Sequence, residues 1–234
     1  MFIKSAAKVI LVTAALTGSS IANAISFNFE AIADNEPGGN TYGVATGEYG
    51  SPSMTFSQGG INVTATGYNT NTPSTEYNAY LDSGDAGLGV CKTLTRDSQC
   101  NPGSDDNVTF GESLKLVFDQ KVEITTTTFV NGSHGTSFNG LFDLSIDGTS
   151  TTETLVHSFA GPLIGTTFIF SNINTASKLI SNDLREFYIN TLDVKLASAP
   201  SSVPIPAAAW LFGTGFMGLL SMAKRRKVEN QVAT

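Results

Sequence analysis

The feature that most constrains the fold is a two-residue periodicity that recurs along the chain. Apolar and polar residues alternate over 25–31, 61–66 and 114–118, as in strands with one buried face. Further candidate strands are rich in Thr, Val, Ile and Phe and cover 121–130, 139–147, 153–159, 165–171 and 185–196. We predict an all-β domain over 25–196, a β-sandwich or jelly roll of about eight to ten short strands.

Other fold classes fit the sequence less well. Parallel βαβ units need helices between the strands, and only 178–187 invites a helical interpretation, as one short turn. We find no repeat of fixed period, which argues against a solenoid or a propeller. Most of the Gly, Asn and Pro residues lie in 34–60 and 67–109, so the long loops are expected there.

The first 24 residues follow the plan of a secretory signal peptide. Two lysines within the first eight positions precede a short apolar run over 9–16, and small residues stand at Ala22 and Ala24. An N-terminal membrane anchor would need a longer apolar span. We predict cleavage after Ala24, so that the exported chain begins at Ile25.

The last part of the chain has the pattern of a single transmembrane helix. Residues 207–223 carry no charge and would be roughly 25 Å long as a helix, at the short end of what spans a bilayer. A small-residue linker is predicted at 197–202, and residues 228–234 are expected in the cytoplasm. A basic cluster directly after the apolar run is expected to stop transfer on that side: Lys224, Arg225, Arg226 and Lys227.

A short proline motif precedes this apolar run and consists of Val203, Pro204, Ile205 and Pro206. Together with the run and the basic cluster, 203–227 resembles the VPLPA-type variant of the PEP-CTERM sorting tail, although Ile205 stands where the eponymous motif has Glu. The resemblance implies recognition by an exosortase, a membrane-embedded transpeptidase that cuts near the motif. It also implies a surface or matrix protein associated with extracellular polysaccharide.

The charge of the exported part excludes one class of partner. Residues 25–206 contain 19 acidic and 7 basic residues, whereas six of the chain's cations lie in the two targeting ends. Nucleic-acid binding needs cations that neutralise phosphates, so no nucleic-acid partner is expected. Such a surface is compatible with cation binding and with neutral glycans.

The chain has two cysteines, Cys91 and Cys100. Cysteines of exported proteins usually form disulfides, since the compartment is oxidising. The spacing is not C-x-x-C and both histidines are distant in sequence, which disfavours a redox or metal pair. We predict a disulfide that pins the loop 91–100.

Hard oxygen donors and glycines concentrate over 80–119, a pattern that suits calcium-bound loops in exported proteins. The segment also resembles one in ectodomains of PEP-CTERM proteins, with a "GLGV" turn before a "DDNV…GE…L…FD" strand, which implies a β-sandwich of undefined activity. A solvated acidic turn without an ion is the alternative. The candidate calcium ligands are Asp82, Asp85, Asp105, Asp106 and Glu112.

A second carboxylate pair, Glu30 and Asp193, lies on the first and last predicted strands. These strands can be neighbours in a jelly roll, so the two groups could share an ion, or they could simply be exposed positions. Five tyrosines of the N-terminal half could stack on sugar rings and are candidates for glycan contact: Tyr42, Tyr49, Tyr68, Tyr77 and Tyr80.

Catalysis has little support in the sequence. A nucleophilic triad needs a histidine base, and the histidines are His134, in a predicted turn, and His157, in a predicted strand. Ser133 is adjacent to His134, and adjacent residues rarely face each other. We therefore predict a non-enzymatic, exported surface protein. The alternatives are a glycan-active enzyme with paired carboxylates and a structural matrix or fibre subunit that assembles through exposed edge strands.

Overall fold

The computed structural model describes residues 24–37, 42–173 and 182–197. The body of the predicted signal peptide, most of the linker, the sorting motif, the apolar run and the basic cluster lie outside these residues. Within the described ranges no helix has the length and hydrophobicity needed to cross a membrane.

More than half of the described residues lie in strands, and the helical elements among them are one short α-helix and one 3-10 helix. In chain order the elements are β1 (Ile25–Asn28), α1 (Phe29–Ala33), β2 (Tyr49–Ser51), β3 (Met54–Gln58), β4 (Ile61–Asn69), β5 (Glu76–Asp82), β6 (Gly87–Cys91), β7 (Glu112–Asn131), β8 (Leu141–Ile146), β9 (Thr149–Thr154), β10 (Ser158–Asn172), the 3-10 helix (Asn182–Arg185) and β11 (Phe187–Leu196). The predicted all-β class is confirmed.

All strands belong to one antiparallel sheet with the order β1-β11-β6-β5-β4-β7-β10-β8-β9, while β2 pairs with β5 and β3 with β4. Strand β7 pairs with β4 over 112–118 and with β11 over 122–131, which closes a ring through β11, β6, β5, β4 and β7. The result is one barrel-like sheet, closed by hydrogen bonds through these five strands. Register shifts along β7 and its neighbours allow this long strand to bend between the part that pairs with β4 and the part that pairs with β11.

The core lies inside this closed sheet and is built from alternate residues of the strands. On β4, Ile61, Val63 and Ala65 are fully buried, as the period-two pattern predicts. Phenylalanine rings fill the centre, and Phe129 lies 5.4 Å from Phe187 between ring centroids, in an edge-on arrangement. Each such ring contributes about 1.5–3 kcal/mol through burial.

The first predicted strand is shorter than its alternation suggests. It ends at Asn28, whose side-chain oxygen accepts a hydrogen bond from the Ala31 amide at 3.0 Å and caps α1. Phe29, Ile32 and Ala33 are buried together at helical spacing. Because Phe29 and Ala31 are buried in the helix, as they would be in an alternating strand, the pattern concealed the change from strand to helix.

The long loops predicted over 34–60 and 67–109 are wrong in part, because β2, β3, β5 and β6 lie there. All residues of β6 are buried, so this strand shows no alternation. Its glycines serve close packing: a Cβ at Gly89 would lie 2.1 Å from the carbonyl oxygen of Asp106. The feature that suggested a loop is therefore a contact between two backbones.

Several other strand boundaries also differ from the prediction. The segments 114–118 and 121–130 are one strand, β7, and the candidate 153–159 contains the end of β9 and the start of β10. The 3-10 helix lies within 178–187, where the helical turn was expected.

Candidate functional site

A buried polar cluster lies at the end of β5, beside Tyr188 of β11. Asp82 and Asp106 are 7% and 9% exposed. The hydroxyl of Tyr188 donates to Asp106 Oδ1 at 2.6 Å, and His134 Nε2 lies 3.0 Å from Asp82 Oδ2. Burial raises the pKa of Asp82 to about 6, and the negative charge of Asp106 adds to this rise. Burial also raises the pKa of Asp106.

The turn that carries His134 positions its ring between two acceptors. The Asn131 side-chain oxygen accepts from the amides of Ser133 and Gly135, both at 2.9 Å, and His134 takes a φ of 59°. Its Nδ1 contacts the carbonyl oxygen of Gly84, while Nε2 faces Asp82. Both contacts are made only if both ring nitrogens, or one nitrogen and the Asp82 carboxyl, carry protons. His134 thus links its own turn to the segment that follows β5.

Glu48 extends the cluster toward the disulfide. Its carboxylate accepts from the Tyr80 hydroxyl at 2.7 Å and from the Ser83 hydroxyl at 2.9 Å. Gln99, within the loop closed by the disulfide, donates to the Glu48 carbonyl at 2.9 Å. The network therefore joins this loop to β5 and to the segment before β2.

The predicted disulfide is present. Cys91 and Cys100 are bonded with a Cα–Cα distance of 5.8 Å. Both residues are buried, and they pack against Tyr80 and Leu94. The bridge closes the loop next to the acidic segments, as the sequence suggested.

Two of the predicted calcium ligands instead bind a lysine. Lys92 Nζ lies 2.8 Å from Asp105 Oδ1 and 2.7 Å from Glu112 Oε1, while the Thr109 amide donates to Glu112 Oε2 at 3.0 Å. Glu112 is fully buried, and burial raises its pKa to about 8, although Lys92 and Thr109 act to lower it. Burial lowers the pKa of Lys92, but the two carboxylates outweigh this and raise it.

The fifth predicted ligand, Asp85, belongs to another group. Oxygen atoms of Glu30, Asp34 and Asp85 lie within 4.8 Å of one another, the one set of three possible metal-ligating side chains at this spacing among the described residues. Asn190 donates to Glu30 at 2.9 Å and the Gly84 amide donates to Asp34 at 2.6 Å. Three hard oxygens suit a divalent cation, so this is where calcium binding can be examined.

The predicted calcium set is thus divided among three places: Asp82 and Asp106 with Tyr188, Asp105 and Glu112 with Lys92, and Asp85 with Glu30. Calcium binding itself stays a prediction. Strands β1 and β11 are neighbours, as expected, but Asp193 lies opposite Ser26, whereas Glu30 is on α1.

The histidines do not form a nucleophilic site. Ser133 donates to Asp183 Oδ2 at 2.7 Å, whereas the ring of His134 faces Asp82 and Gly84. His157 lies between β9 and β10 rather than within a strand, and its Nδ1 lies 2.8 Å from the Phe129 carbonyl oxygen.

The tyrosines divide into core and surface residues. Tyr42 and Tyr80 are buried, and Tyr42 donates to the Ser26 carbonyl at 3.1 Å, so neither can stack on a sugar. Tyr68 instead lines a groove of about 570 Å³ on the outer side of the sheet. The groove is lined by Pro52, Ser53, Thr66, Gly67, Tyr68, Pro73, Glu76, Lys115 and Ile169.

Sequence reasoning missed Lys92 and Tyr188, which bind the acidic residues, and Glu48, which adds a further carboxylate to the network. Lys92 follows Cys91 directly and Tyr188 lies in a predicted strand, but the partner of each depends on which strands are neighbours. The one usable signal was the excess of carboxylates around the disulfide, since buried carboxylates need donors.

Comparisons with known proteins identify no relative: no protein-family model, no curated protein and no solved structure matches the chain. A function for this chain must therefore be inferred from its own residues and their geometry.

Proposed function

We propose that this chain is an exported, non-catalytic protein of the bacterial surface or extracellular matrix, sorted by an exosortase-type system and associated with extracellular polysaccharide. The observation that carries the proposal is the Cys91–Cys100 disulfide, which joins the acidic loops of an all-β domain. Disulfides persist in oxidising compartments outside the cytoplasm. The signal peptide predicted over 1–24 and the tail predicted over 203–227 supply the route.

The buried carboxylates support a non-catalytic role. Asp82, Asp106 and Glu112 are bound by His134, Tyr188 and Lys92 within the domain. Acids held in this way fix loops that have few apolar contacts of their own. A glycan-active enzyme is the second candidate, and turnover of a polysaccharide that stops on removal of one carboxylate would favour it.

We assign polysaccharide contact to the groove beside Tyr68. Its lining combines one aromatic ring with two prolines, two hydroxyl side chains and two opposite charges, Glu76 and Lys115, which suits a neutral sugar chain. Tyr68→Ala is expected to weaken binding of the native polysaccharide about two- to tenfold in an affinity assay. Tyr77→Ala is the matched control, since Tyr77 is on the adjacent strand but does not line the groove.

The sorting part of the proposal is tested by changing the two ends of the tail separately. Proline lacks a backbone donor and disfavours helix, so under this proposal Pro204 and Pro206 mark the site that the sorting enzyme recognises. Replacing both with Ala should leave export intact but block release or surface transfer. Replacing Lys224–Lys227 with Ser should instead permit leakage of uncut protein.

The measurement is cell fractionation with mass mapping of the C-terminus, in strains with and without the sorting enzyme. A tail cut near 203–206 only in the strain that has the enzyme supports the proposal. The same full-length tail in every strain contradicts it.

A further inference from the structure

Strand β9 presents an exposed edge with little protection against pairing. Within the described ranges it pairs only with β8, through six consecutive residue pairs without a bulge. Its residues 149–154 are Thr, Ser and one Glu, and only Glu153 is partly buried. Exposed edges are normally protected by charged side chains, inward-pointing charges, proline or a bulge, and of these devices β9 has only the single charge of Glu153. The outer edge of β10 has this protection, with Pro162 in a register shift between Ala160 and Leu163.

The turn between β8 and β9 determines which backbone groups face outward. Asp147 and Gly148 form a two-residue turn with φ of 48° and 88°, so that Ile146 and Thr149 are a hydrogen-bonded pair. Hydrogen-bonded and non-hydrogen-bonded pairs then alternate, so Thr149, Thr151 and Glu153 bond to β8. The amide of Leu155 donates to the Gly140 carbonyl at 3.0 Å, in agreement with this phase. The outward amides and carbonyls are those of Ser150, Thr152 and Thr154.

We propose that β9 pairs with β9 of a second copy of this chain, antiparallel, about a two-fold axis at Thr152. A two-fold axis perpendicular to the sheet leaves each side chain on the same face of the sheet in both copies. Hydrogen-bonded partners across the axis must therefore both be residues whose amide and carbonyl groups point outward. Centring on Thr152 pairs Thr152 with itself and Ser150 with Thr154, which satisfies all outward groups with about six hydrogen bonds. Centring on Ser150 or Thr154 leaves most of the strand unpaired.

The side chains agree with this register. Thr151 faces Glu153 of the other copy, so the two glutamates are not directly opposed, and the central pair is Thr152 against Thr152, a favourable cross-strand combination. The contact is self-complementary and uses the β9 edge of each copy, so it produces a closed dimer and not a fibre. The domain is acidic, and screening of its charge should strengthen the dimer at higher salt. The inference does not depend on the proposed function.

Cysteine cross-linking of the full-length chain tests the register. The native cysteines are bonded to each other, and no free cysteine lies among the described residues, so Thr152→Cys introduces a single thiol. Two thiols at the axis have Cα atoms about 5.5 Å apart, within disulfide range. Ser150→Cys is the matched control: it is on the same exposed strand, but the two copies would lie about 14 Å apart along the strand. Mild oxidation should give a covalent dimer with Thr152→Cys and little with Ser150→Cys.

Two charge variants provide an independent measurement by sedimentation velocity. Thr152→Lys places like charges opposite each other and should raise the dimer dissociation constant about five- to tenfold, whereas Thr151→Lys faces Glu153 and should lower it about two- to fivefold. Equal cross-linking of Thr152→Cys and Ser150→Cys, equal effects of the two lysines, or a wild-type chain that stays monomeric at all concentrations would each overturn the proposal. A dimer that persists without cross-linking at Thr152 would place the interface elsewhere and overturn it as well.

Discussion

The ion pair between Lys92 and the buried Glu112 allows a prediction in which pH decides the size of the effect. Glu112 is fully buried, whereas the Lys92 side chain is 39% exposed. Replacing Lys92 with Met leaves a carboxylate in the interior with no cation beside it. Breaking a buried pair in this way costs about 3–5 kcal/mol when the remaining group is charged. The penalty therefore depends on whether Glu112 is ionised.

The pH dependence follows from the direction of the pKa shift. Burial raises the pKa of Glu112 to about 8, so its contribution to folding stability is fully present below pH 4.5 and is lost as the pH rises through about 8. Without Lys92 the pKa rises further and the loss is larger. We expect Lys92→Met to cost about 1 kcal/mol at pH 5, where Glu112 is neutral, and about 3–5 kcal/mol at pH 9.

Urea unfolding of the wild type and Lys92→Met at both pH values measures this difference. Glu112→Gln and the double variant are the controls, since a neutral amide needs no cation and should remove the pH dependence of the lysine substitution. An equal loss at pH 5 and pH 9 would refute the reasoning.

Three further predictions concern stability. Replacing Cys91 and Cys100 with Ala should lower the free energy of unfolding by about 2.6 kcal/mol, as expected for a cross-link nine residues apart, and a loss below about 1 kcal/mol in urea unfolding would contradict this. The raised pKa of Asp82 makes the wild type lose folding stability as the pH rises from 4 to 6, whereas Asp82→Asn has no carboxyl group to ionise there. The free energy of unfolding of Asp82→Asn should therefore rise relative to that of the wild type by up to about 3 kcal/mol over this range, and parallel curves of stability against pH would contradict this. Gly89→Ala should cost about 2–4 kcal/mol, since its Cβ would meet backbone, whereas Gly103→Ala has open space and should cost less than about 1 kcal/mol; similar melting temperatures would contradict the assignment.

The sequence predicted those parts of the fold that obey a local rule. The alternation along β4 and in the first part of β7 identified buried residues such as Ile61 and Leu116, because one face of each strand is polar. Strand β6 was missed because it is buried on both faces and contains Gly87 and Gly89, whose value appears only when a second backbone packs against them.

The acidic region shows the same limit at the level of the site. Composition predicted that carboxylates would cluster near Cys91 and Cys100, and the disulfide is confirmed. It could not show that Asp106 binds Tyr188 of the last strand, 82 residues away, because that contact requires the ring closed by β7 and β11. Long-range strand pairing, and not residue type, decides the partner of each acid.

Intact-mass spectrometry of the protein recovered from the cell exterior, compared with the cell-retained fraction, tests the central claim most directly. We predict an exterior species that begins at Ile25, ends near the 203–206 motif and is lighter by two hydrogens because Cys91 and Cys100 are bonded. A species that keeps residues 1–24 and the complete tail, has free thiols and stays inside the cell would contradict export, sorting and the disulfide together.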